Sequence, residues 1–199
     1  MQALSKIIAC YDAAAENYAA QFKDELSKKH LDRLLLRAFA DANKSRGTLA
    51  DFGCGPGHTS RFLARAGMPS VLGVDISPQM ILTANRLFPD LRFDCADFLN
   101  LPYKPDSFGS AIAFYGIVNL DYTQVERAFL EIARVLKPGG QFLFSYHVGT
   151  EVRHVDRFLD TDADIDFYFF ETERILALLK QSGFSVIDAL ERHPYPDVE

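Results

Sequence analysis

Short apolar runs alternate along this chain with longer stretches in which apolar residues recur every three or four positions. Five runs read as strands: "TLADFG", "SVLGVDI", "LRFDCAD", "SFGSAIAFYGIV" and "QFLFSYHV". The fourth is apolar almost throughout, which is typical of a strand buried on both faces of a sheet. Helical spacing separates the runs, and strands alternating with helices in this way predict right-handed crossovers. We therefore expect an α/β fold with a doubly wound, mostly parallel sheet and helices on both faces.

The ends of the chain depart from this alternation. Before the first strand, helical spacing predicts an N-terminal helical cap over residues 1–45. After Val148 the sequence becomes polar and then aromatic ("GTEVRHVDRFLDTDADIDFYFFE"), and we expect residues 149–170 to form a lid over an acceptor pocket. A helix ending at Gly183 and a sixth strand, "FSVIDAL", follow. With no linker or repeat in between, residues 1–199 are predicted to form a single domain.

Composition and charge exclude several classes of function. The chain of 199 residues is 48% hydrophobic and 24% charged, with a formal net charge of -6 and no basic cluster, so a nucleic-acid partner is not expected. No apolar run approaches the length of a membrane span, and the N-terminus is a poor signal peptide. Three widely spaced cysteines form neither a disulfide framework nor a metal knuckle, which favours a cytoplasmic location and no metal.

The first predicted strand runs directly into a glycine-rich turn, "LADFGCGPGHTS". Glycines at the carboxyl end of such a strand allow positive φ angles and close approach of a ligand. The turn lacks the Gly-Lys-Ser/Thr of a Walker loop, and His58 stands where a dinucleotide fingerprint has its third glycine. Asp51, just before the turn, would repel a pyrophosphate, so a ligand with positive charge is favoured.

Three acids follow successive strands: Asp51, Asp75 and Asp97. Asp75 lies about 22 residues beyond Gly53, the spacing at which an acid accepts both hydroxyls of a ribose. Asp97 is placed to accept from an exocyclic amine, with Phe98 beside it for the base ring. The pattern indicates an amine-bearing nucleoside without phosphate, and S-adenosyl-L-methionine meets that description.

The chain also resembles class I S-adenosylmethionine-dependent methyltransferases of the type that acts on small molecules. The resemblance is carried by "LADFGCGPG", "VLGVDISPQMI", "CADFLNLPYKPDSFGSAIAFYGIV" and "EIARVLKPGGQFLFSYH", and by the tyrosine-bearing "YDAAAENYAAQF". It implies a Rossmann-like sheet and in-line methyl transfer that leaves S-adenosyl-L-homocysteine. The cofactor-binding residues that it implies, together with the neighbouring Cys54, are Tyr11, Tyr18, Asp51, Gly53, Cys54, Gly55, Gly57, Asp75, Ile76, Met80, Asp97, Phe98, Tyr115 and Gly116.

Catalysis by this chemistry needs little from the protein, because the sulfonium leaving group is neutral once it departs and positioning supplies much of the rate. A general base helps only when the acceptor loses a proton late. The candidates beyond the strand ends are Tyr115, Asn119, Asp121 and His147. We predict His147 as the base and Tyr115 as a second catalytic candidate, while Tyr115 and Asn119 also suit ordinary pocket wall. Two alternatives stay open: a non-catalytic partner protein that keeps S-adenosylmethionine binding and, more weakly, an NAD-dependent oxidoreductase.

Several other features limit the acceptor and the assembly. "FYGIVNL" stands where methyltransferases of nucleobase amines carry Pro-Pro-Tyr/Phe, and no cysteine follows a proline as cytosine C5 enzymes require, so a small-molecule acceptor is expected. The acidic run "DTDADIDFYFFE" has Ile165 where a calcium loop needs glycine, which disfavours calcium.

The resemblance also implies a seven-stranded sheet, but only six strands can be placed, because Pro194 and Pro196 disfavour a strand at the end. Either the chain is trimmed or "IDFYFF" supplies the missing strand. An unpaired edge there favours a homodimer.

Overall fold

The structure, a computed structural model, describes residues 3–195. Three helices come first: α1 (Leu4–Phe22), α2 (Glu25–Lys28) and α3 (His30–Asn43). Strands then alternate with helices as β1 (Leu49–Phe52), α4 (His58–Arg65), β2 (Val71–Asp75), α5 (Pro78–Leu87), β3 (Arg92–Cys95), β4 (Phe108–Phe114), α6 (Tyr122–Val135) and β5 (Leu136–Ser145). The chain continues through β6 (His147–Val148), β7 (Val152–Val155), β8 (Ile165–Phe170) and α7 (Thr172–Gln181).

The first five strands form one sheet in the order β3-β2-β1-β4-β5, and every neighbouring pair is parallel. The chain winds outward from β1 to β3 and then crosses to β4 on the other side of β1. The strand order therefore reverses between β1 and β4, and ligands of open α/β sheets bind at the carboxyl ends of the strands beside such a point. The predicted doubly wound parallel sheet is confirmed.

Alternate residues of the central strands pack against helices on opposite faces of the sheet. Leu49 of β1 contributes to a buried cluster with Leu36 of α3 and Leu63 of α4. Phe52, three positions later, belongs to a cluster with Phe129 of α6 and Ile175 of α7. Because both faces are covered, β1 is buried at every position, as its apolar sequence requires.

Helix capping at α5 agrees with the sequence. Ser77 accepts a hydrogen bond from the Met80 backbone N–H at 3.1 Å through its Oγ, and Pro78 takes the first turn. A residue of α1 also binds the first turn of α5, since Asp12 Oδ1 accepts a hydrogen bond from the Gln79 N–H at 3.0 Å. The N-terminal helix is thereby fixed beside the strand ends that carry the predicted site.

The segment after β5 forms a second, smaller sheet that the sequence did not predict. β8 lies in its middle, parallel to β6 and antiparallel to β7, so "IDFYFF" does not join the large sheet. The predicted fifth strand, "QFLFSYHV", is divided at Tyr146, and its last two residues are β6. Two of its strands, β7 and β8, lie within the predicted lid, residues 149–170.

The predicted sixth strand is wrong. "FSVIDAL", residues 184–190, has no regular secondary structure, and Val186, Ile187 and Leu190 are largely exposed. Its β-branched residues suit a strand, but a strand also needs a neighbour that accepts its hydrogen bonds, and the described residues pair none with it. Of the two prolines cited against a seventh strand, Pro194 lies in irregular chain, and Pro196 falls outside the described residues.

Candidate cofactor and acceptor site

A cavity that opens to solvent lies where the carboxyl ends of β1, β2 and β4 meet α1, with about 720 Å³ of empty space when its open mouth is included. The cavity brings together most of the predicted cofactor residues from five separate parts of the chain. Its lining consists of Leu4, Ile7, Tyr11, Tyr18, Gly53, Gly55, Asp75, Ile76, Met80, Asp97, Phe98, Leu99, Phe114, Tyr115, Gly116, Asn119 and Leu120.

The glycine turn forms the floor of the cavity because side chains there would have no room. Gly53 has φ +72°, and a Cβ built on it would lie 2.9 Å from the Gly116 Cα. The two strand ends, β1 and β4, are thus packed backbone to backbone, and both glycines line the cavity. Gly57, with φ +85°, precedes α4 and faces the Phe93 ring instead, so it shapes the turn from outside the cavity lining.

Asp75 ends β2 with its carboxylate fixed by backbone N–H groups. Oδ2 accepts from the Gly55 N–H at 2.8 Å, and Oδ1 accepts from the Ser77 N–H at 2.9 Å. The residue is 8% exposed and lines the cavity. Burial raises the pKa of this carboxyl, and the backbone hydrogen bonds oppose that rise. The side chain is held in one orientation with lone pairs left for a ligand.

Asp51 lies behind the glycine turn rather than in the cavity lining. It is 1% exposed, and its Oδ2 accepts a 2.6 Å hydrogen bond from Ser60 Oγ on α4. Burial raises the pKa of Asp51 to about 7, against the lowering effect of the Ser60 bond. Cys54, also among the predicted cofactor residues, points to a cluster with Ile81 and Phe93, and it too lies outside the lining.

The far end of the cavity is lined by Ile76, Met80, Asp97 and Phe98. Met80 and Phe98 are buried, and Asp97 is fixed because its Oδ1 accepts from the Leu99 N–H at 2.8 Å. This grouping of apolar side chains around one carboxylate suits a flat, amine-bearing ring system.

Two tyrosines of α1 close the cavity from above. Tyr11 and Tyr18 both line it, and their rings lie 5.5 Å and 6.5 Å from the ring of Phe158 in the lid segment. Tyr11 donates a 2.7 Å hydrogen bond to Asn119 Oδ1. Burial raises the pKa of Tyr11 well above its usual value, so its phenol stays protonated.

Asn119 lines the cavity and connects three parts of the fold. Its Oδ1 accepts from Tyr11, and its Nδ2 donates to the Asp166 carbonyl of β8 at 2.8 Å. The residue is 6% exposed, so this amide links α1, the loop after β4 and the small sheet. Asp121 serves another purpose, because it forms a capping box with Gln124 at the start of α6.

The two predicted catalytic residues lie side by side, but only one lines the cavity. Tyr115 lines it and has the left-handed φ of +56°. His147 lies behind Tyr115, its ring centre 5.2 Å from that of Tyr115 and 5.1 Å from that of Phe169. A base at His147 would therefore reach the cavity only past the Tyr115 ring.

The acidic segment of the lid forms ion pairs with neighbouring basic groups. His154 Nδ1 lies 2.7 Å from Asp166, and Lys6 Nζ lies 2.6 Å from Asp164. Within residues 3–195, no group of three or more His, Cys, Asp or Glu side chains is arranged to hold a metal ion. Over the same range, no helix is both long and apolar enough to cross a membrane.

Sequence reasoning missed the apolar residues that complete the cavity. Leu4 and Ile7 come from the first turns of α1, while Leu99, Phe114 and Leu120 come from strand ends and loops. Helical spacing predicted α1 but could not show which face turns toward the site, since that depends on the α1–α5 packing. No local motif marked these positions.

Comparisons with known proteins identify methyltransferases as similar to this chain. A family model described as "Methyltransferase domain" matches residues 49–140. An O-methyltransferase of Penicillium expansum is 29% identical over 181 residues, covering 85% of this chain and 63% of the relative. A demethylmenaquinone methyltransferase of Streptomyces griseus is 26% identical over 205 residues, covering 92% of this chain and 87% of the relative.

Solved structures show the same fold. The DhpI–SAH complex superimposes with a TM-score of 0.69 at 19% identity, covering 90% of this chain and 87% of that one. The chain spans 49% and 63% of the length of the first two curated relatives that it matches. The matched residues include the glycine turn and all three strand-end acids. These comparisons show similarity to a methyltransferase domain over residues 49–140 and a shared fold over most of the chain.

Proposed function

We propose that this protein binds S-adenosyl-L-methionine in the cavity and transfers its methyl group to a small-molecule acceptor. Similarity to a methyltransferase domain over residues 49–140 supports methyl transfer, and two similar proteins carry names of methyltransferases that act at oxygen or on demethylmenaquinone. The identity of the acceptor does not follow from those names, so the proposal rests on the cavity itself.

The observation that carries the proposal is the placement of Asp75. A carboxylate that is buried, oriented by two backbone N–H groups and still part of the cavity lining is built to accept from a ligand. In the proposal it accepts from the two hydroxyls of the ribose. Burial of the charged carboxylate costs free energy and raises the pKa of Asp75. Hydrogen bonds from the ribose would offset part of that cost.

The charges of the cavity favour S-adenosylmethionine over a dinucleotide. Among the described lining residues, Asp75 and Asp97 are acidic, and none is Lys, Arg or His. A pyrophosphate would find no cation there, whereas a sulfonium and an ammonium would be attracted. Asp51 adds negative charge from directly behind the glycine turn, where we place the methionine ammonium.

The remaining cofactor contacts follow from this placement. We assign the adenine to the Ile76, Met80 and Phe98 walls, with Asp97 accepting from the exocyclic amine. The sulfonium then faces Tyr115 and Gly116, and Tyr11 and Tyr18 cover the ligand from α1. Water is excluded on that side, which strengthens the electrostatic attraction and protects the cofactor from hydrolysis.

The acceptor is proposed to be small and largely apolar. The rest of the lining comes from Leu4, Ile7, Phe114 and Leu120, with the Asn119 amide as the polar group. This lining positions an acceptor by shape, which suffices for in-line displacement. His147 stays the predicted base for an acceptor that needs one, and its proton would have to pass the Tyr115 ring.

Calorimetry tests cofactor binding. S-adenosylhomocysteine should bind with micromolar affinity, on the order of -8 kcal/mol, and NAD should not bind. Asp75→Asn should weaken binding by about 10- to 100-fold, since hydrogen bonds to a charged group contribute about 1.5–3 kcal/mol. Asp90→Asn is the matched control, because Asp90 is an exposed acid paired with Arg61. Equal affinity of the parent and Asp75→Asn would overturn the assignment.

Turnover of methyl-labelled cofactor tests catalysis. A panel of small apolar thiols, amines and phenols should include at least one acceptor that takes up label. Binding of S-adenosylhomocysteine without any labelled product would favour the non-catalytic binding protein instead. Binding of NAD with equal affinity would favour the oxidoreductase.

A further inference from the structure

The segment that follows α7 has no regular secondary structure, yet it is fixed to the rest of the fold. Residues 184–195 run from α7 to the start of α3, where the Tyr195 hydroxyl meets the Leu31 N–H. Along the way, Val186, Ile187 and Leu190 are exposed. Arg192 differs from these residues, because its side chain is only 20% exposed. An arginine that is half-buried between exposed neighbours needs an explanation.

Arg192 is fixed on α3 by a two-pronged ion pair. Its Nε and one terminal nitrogen lie 3.3 Å and 3.2 Å from the two carboxylate oxygens of Asp32, whose side chain is 5% exposed. The guanidinium also stacks 4.1 Å from the Tyr195 ring centre, and the Tyr195 hydroxyl accepts from the Leu31 N–H at 2.9 Å. That N–H belongs to the first turn of α3, where no partner exists within the helix.

The same guanidinium reaches the cavity wall. One Arg192 nitrogen donates a 2.9 Å hydrogen bond to the Tyr115 hydroxyl. The planar guanidinium carries several N–H donors in a fixed arrangement, so one group can hold a carboxylate and a phenol together. Arg192 therefore ties Tyr115 to α3 through one rigid side chain.

Tyr115 is a residue that requires such support. Its φ of +56° lies in the left-handed region, which is unfavourable for an aromatic side chain. Its N–H donates to Ser145 Oγ at 2.9 Å, and its ring lies between the Lys29 ammonium, 4.8 Å away, and the His147 ring. The hydroxyl contact with Arg192 fixes the outer end of the ring, the end that the backbone contacts cannot reach.

We propose that Arg192 is a positioning residue of the active site, which holds Tyr115 against the acceptor end of the cavity through its hydroxyl. The inference rests on the proposed function, because it takes the Tyr115 end of the cavity to be where the acceptor meets the sulfonium. It makes residues 184–195 part of the active-site wall. Conformational freedom of Tyr115 would then be set by the C-terminal segment.

The test uses the full chain with 13C-labelled tyrosine rings, and Tyr115→Phe identifies the Tyr115 signal. Arg192→Met should shift and broaden the Tyr115 signal and raise amide exchange in residues 112–119 by about tenfold, because a charged hydrogen bond is lost. Tyr195→Phe removes the acceptor for Leu31 and keeps the ring that stacks on Arg192, so it should loosen the tip of the segment and leave the Tyr115 signal in place. Arg174→Met is the control, since Arg174 covers the Tyr122 ring away from the cavity.

Two outcomes would overturn the inference. The first is an unchanged Tyr115 signal in Arg192→Met although residues 190–195 exchange faster. The second is an equal Tyr115 shift in Tyr195→Phe, which would show that general order of the segment matters rather than the guanidinium. If Arg192→Met does not fold, Arg192→Lys is measured with the same expectations. Failure of S-adenosylhomocysteine binding by the parent would contradict the proposed function and leave the Tyr115 measurement valid.

Discussion

The two ends of the cavity are built differently. At the cofactor end, Gly53, Gly55 and Asp75 are held by backbone packing and backbone hydrogen bonds between β1, β2 and β4. At the acceptor end, the contacts are between side chains from distant parts of the chain, such as Tyr11 with Asn119 and Arg192 with Tyr115. Backbone packing leaves few substitutions that preserve the geometry, whereas side-chain contacts can be exchanged. The difference predicts where changes disable the protein and where they alter its acceptor.

Gly53→Ala should have the largest effect on stability. A Cβ there would meet the Gly116 Cα at 2.9 Å, and the φ of +72° adds strain, so we expect a loss of about 3–5 kcal/mol in the free energy of unfolding. Urea denaturation followed by circular dichroism measures it. Gly67→Ala is the matched control: its φ is +99°, but a Cβ would meet nothing within 4 Å. Its cost should be about 1 kcal/mol. Equal losses in both variants would contradict the close packing of β1 against β4.

The same contrast explains which parts of the structure could be predicted from the sequence and which could not. The five parallel strands and the glycine turn depend on local patterns, and the sequence predicted both. The contact between Tyr11 and Asn119 joins residues 108 positions apart, and that between Arg192 and Tyr115 joins residues 77 apart. No spacing rule reports such pairs.

The error at "FSVIDAL" has the same origin. Its composition suits a strand, but pairing depends on a neighbour that local sequence does not specify. Phe184 packs against Phe142 of β5, while the residues that follow turn outward. The small sheet of β6, β7 and β8 was missed for a related reason: "IDFYFF" was considered as a strand, but its pairing with β6 and β7 depends on neighbours that its own sequence does not specify.

Asp51→Asn should give the next largest effect, visible in the pH dependence of stability. The folded-state pKa is raised to about 7 from 3.8, so the native state binds the proton more tightly than the unfolded chain does. Stability from this group is therefore lost as the pH rises from about 4 to about 7, by on the order of 2–4 kcal/mol. Asparagine does not ionise, and its amide oxygen can still accept from Ser60.

Urea denaturation between pH 4 and pH 8 tests this prediction. The stability of the parent relative to Asp51→Asn should decrease from about pH 4 to about pH 7 and stay constant from there to pH 8. A difference that does not change with pH would mean that Asp51 titrates in the usual range. S-adenosylhomocysteine at saturating concentration should reduce the decrease, because the ammonium that we place near the turn would favour the ionised carboxylate.

Phe158→Ala should have the smallest effect on global stability, and its effect should be confined to the region of residues 152–170. Phe158 is half-buried, and its ring contacts Tyr11, Tyr18 and Phe167, so it joins the lid to α1 without touching the glycine turn. We expect about 1–2 kcal/mol of destabilisation and faster amide exchange in residues 152–170. Residues 49–57 should exchange as in the parent, because backbone contacts hold them.

Phe88→Ala is the control, since Phe88 is a half-buried ring beside His58, outside the lid. If Phe158→Ala loosened both regions equally, the two ends of the cavity would form one cooperative unit, and acceptor preference could not be changed through the lid alone.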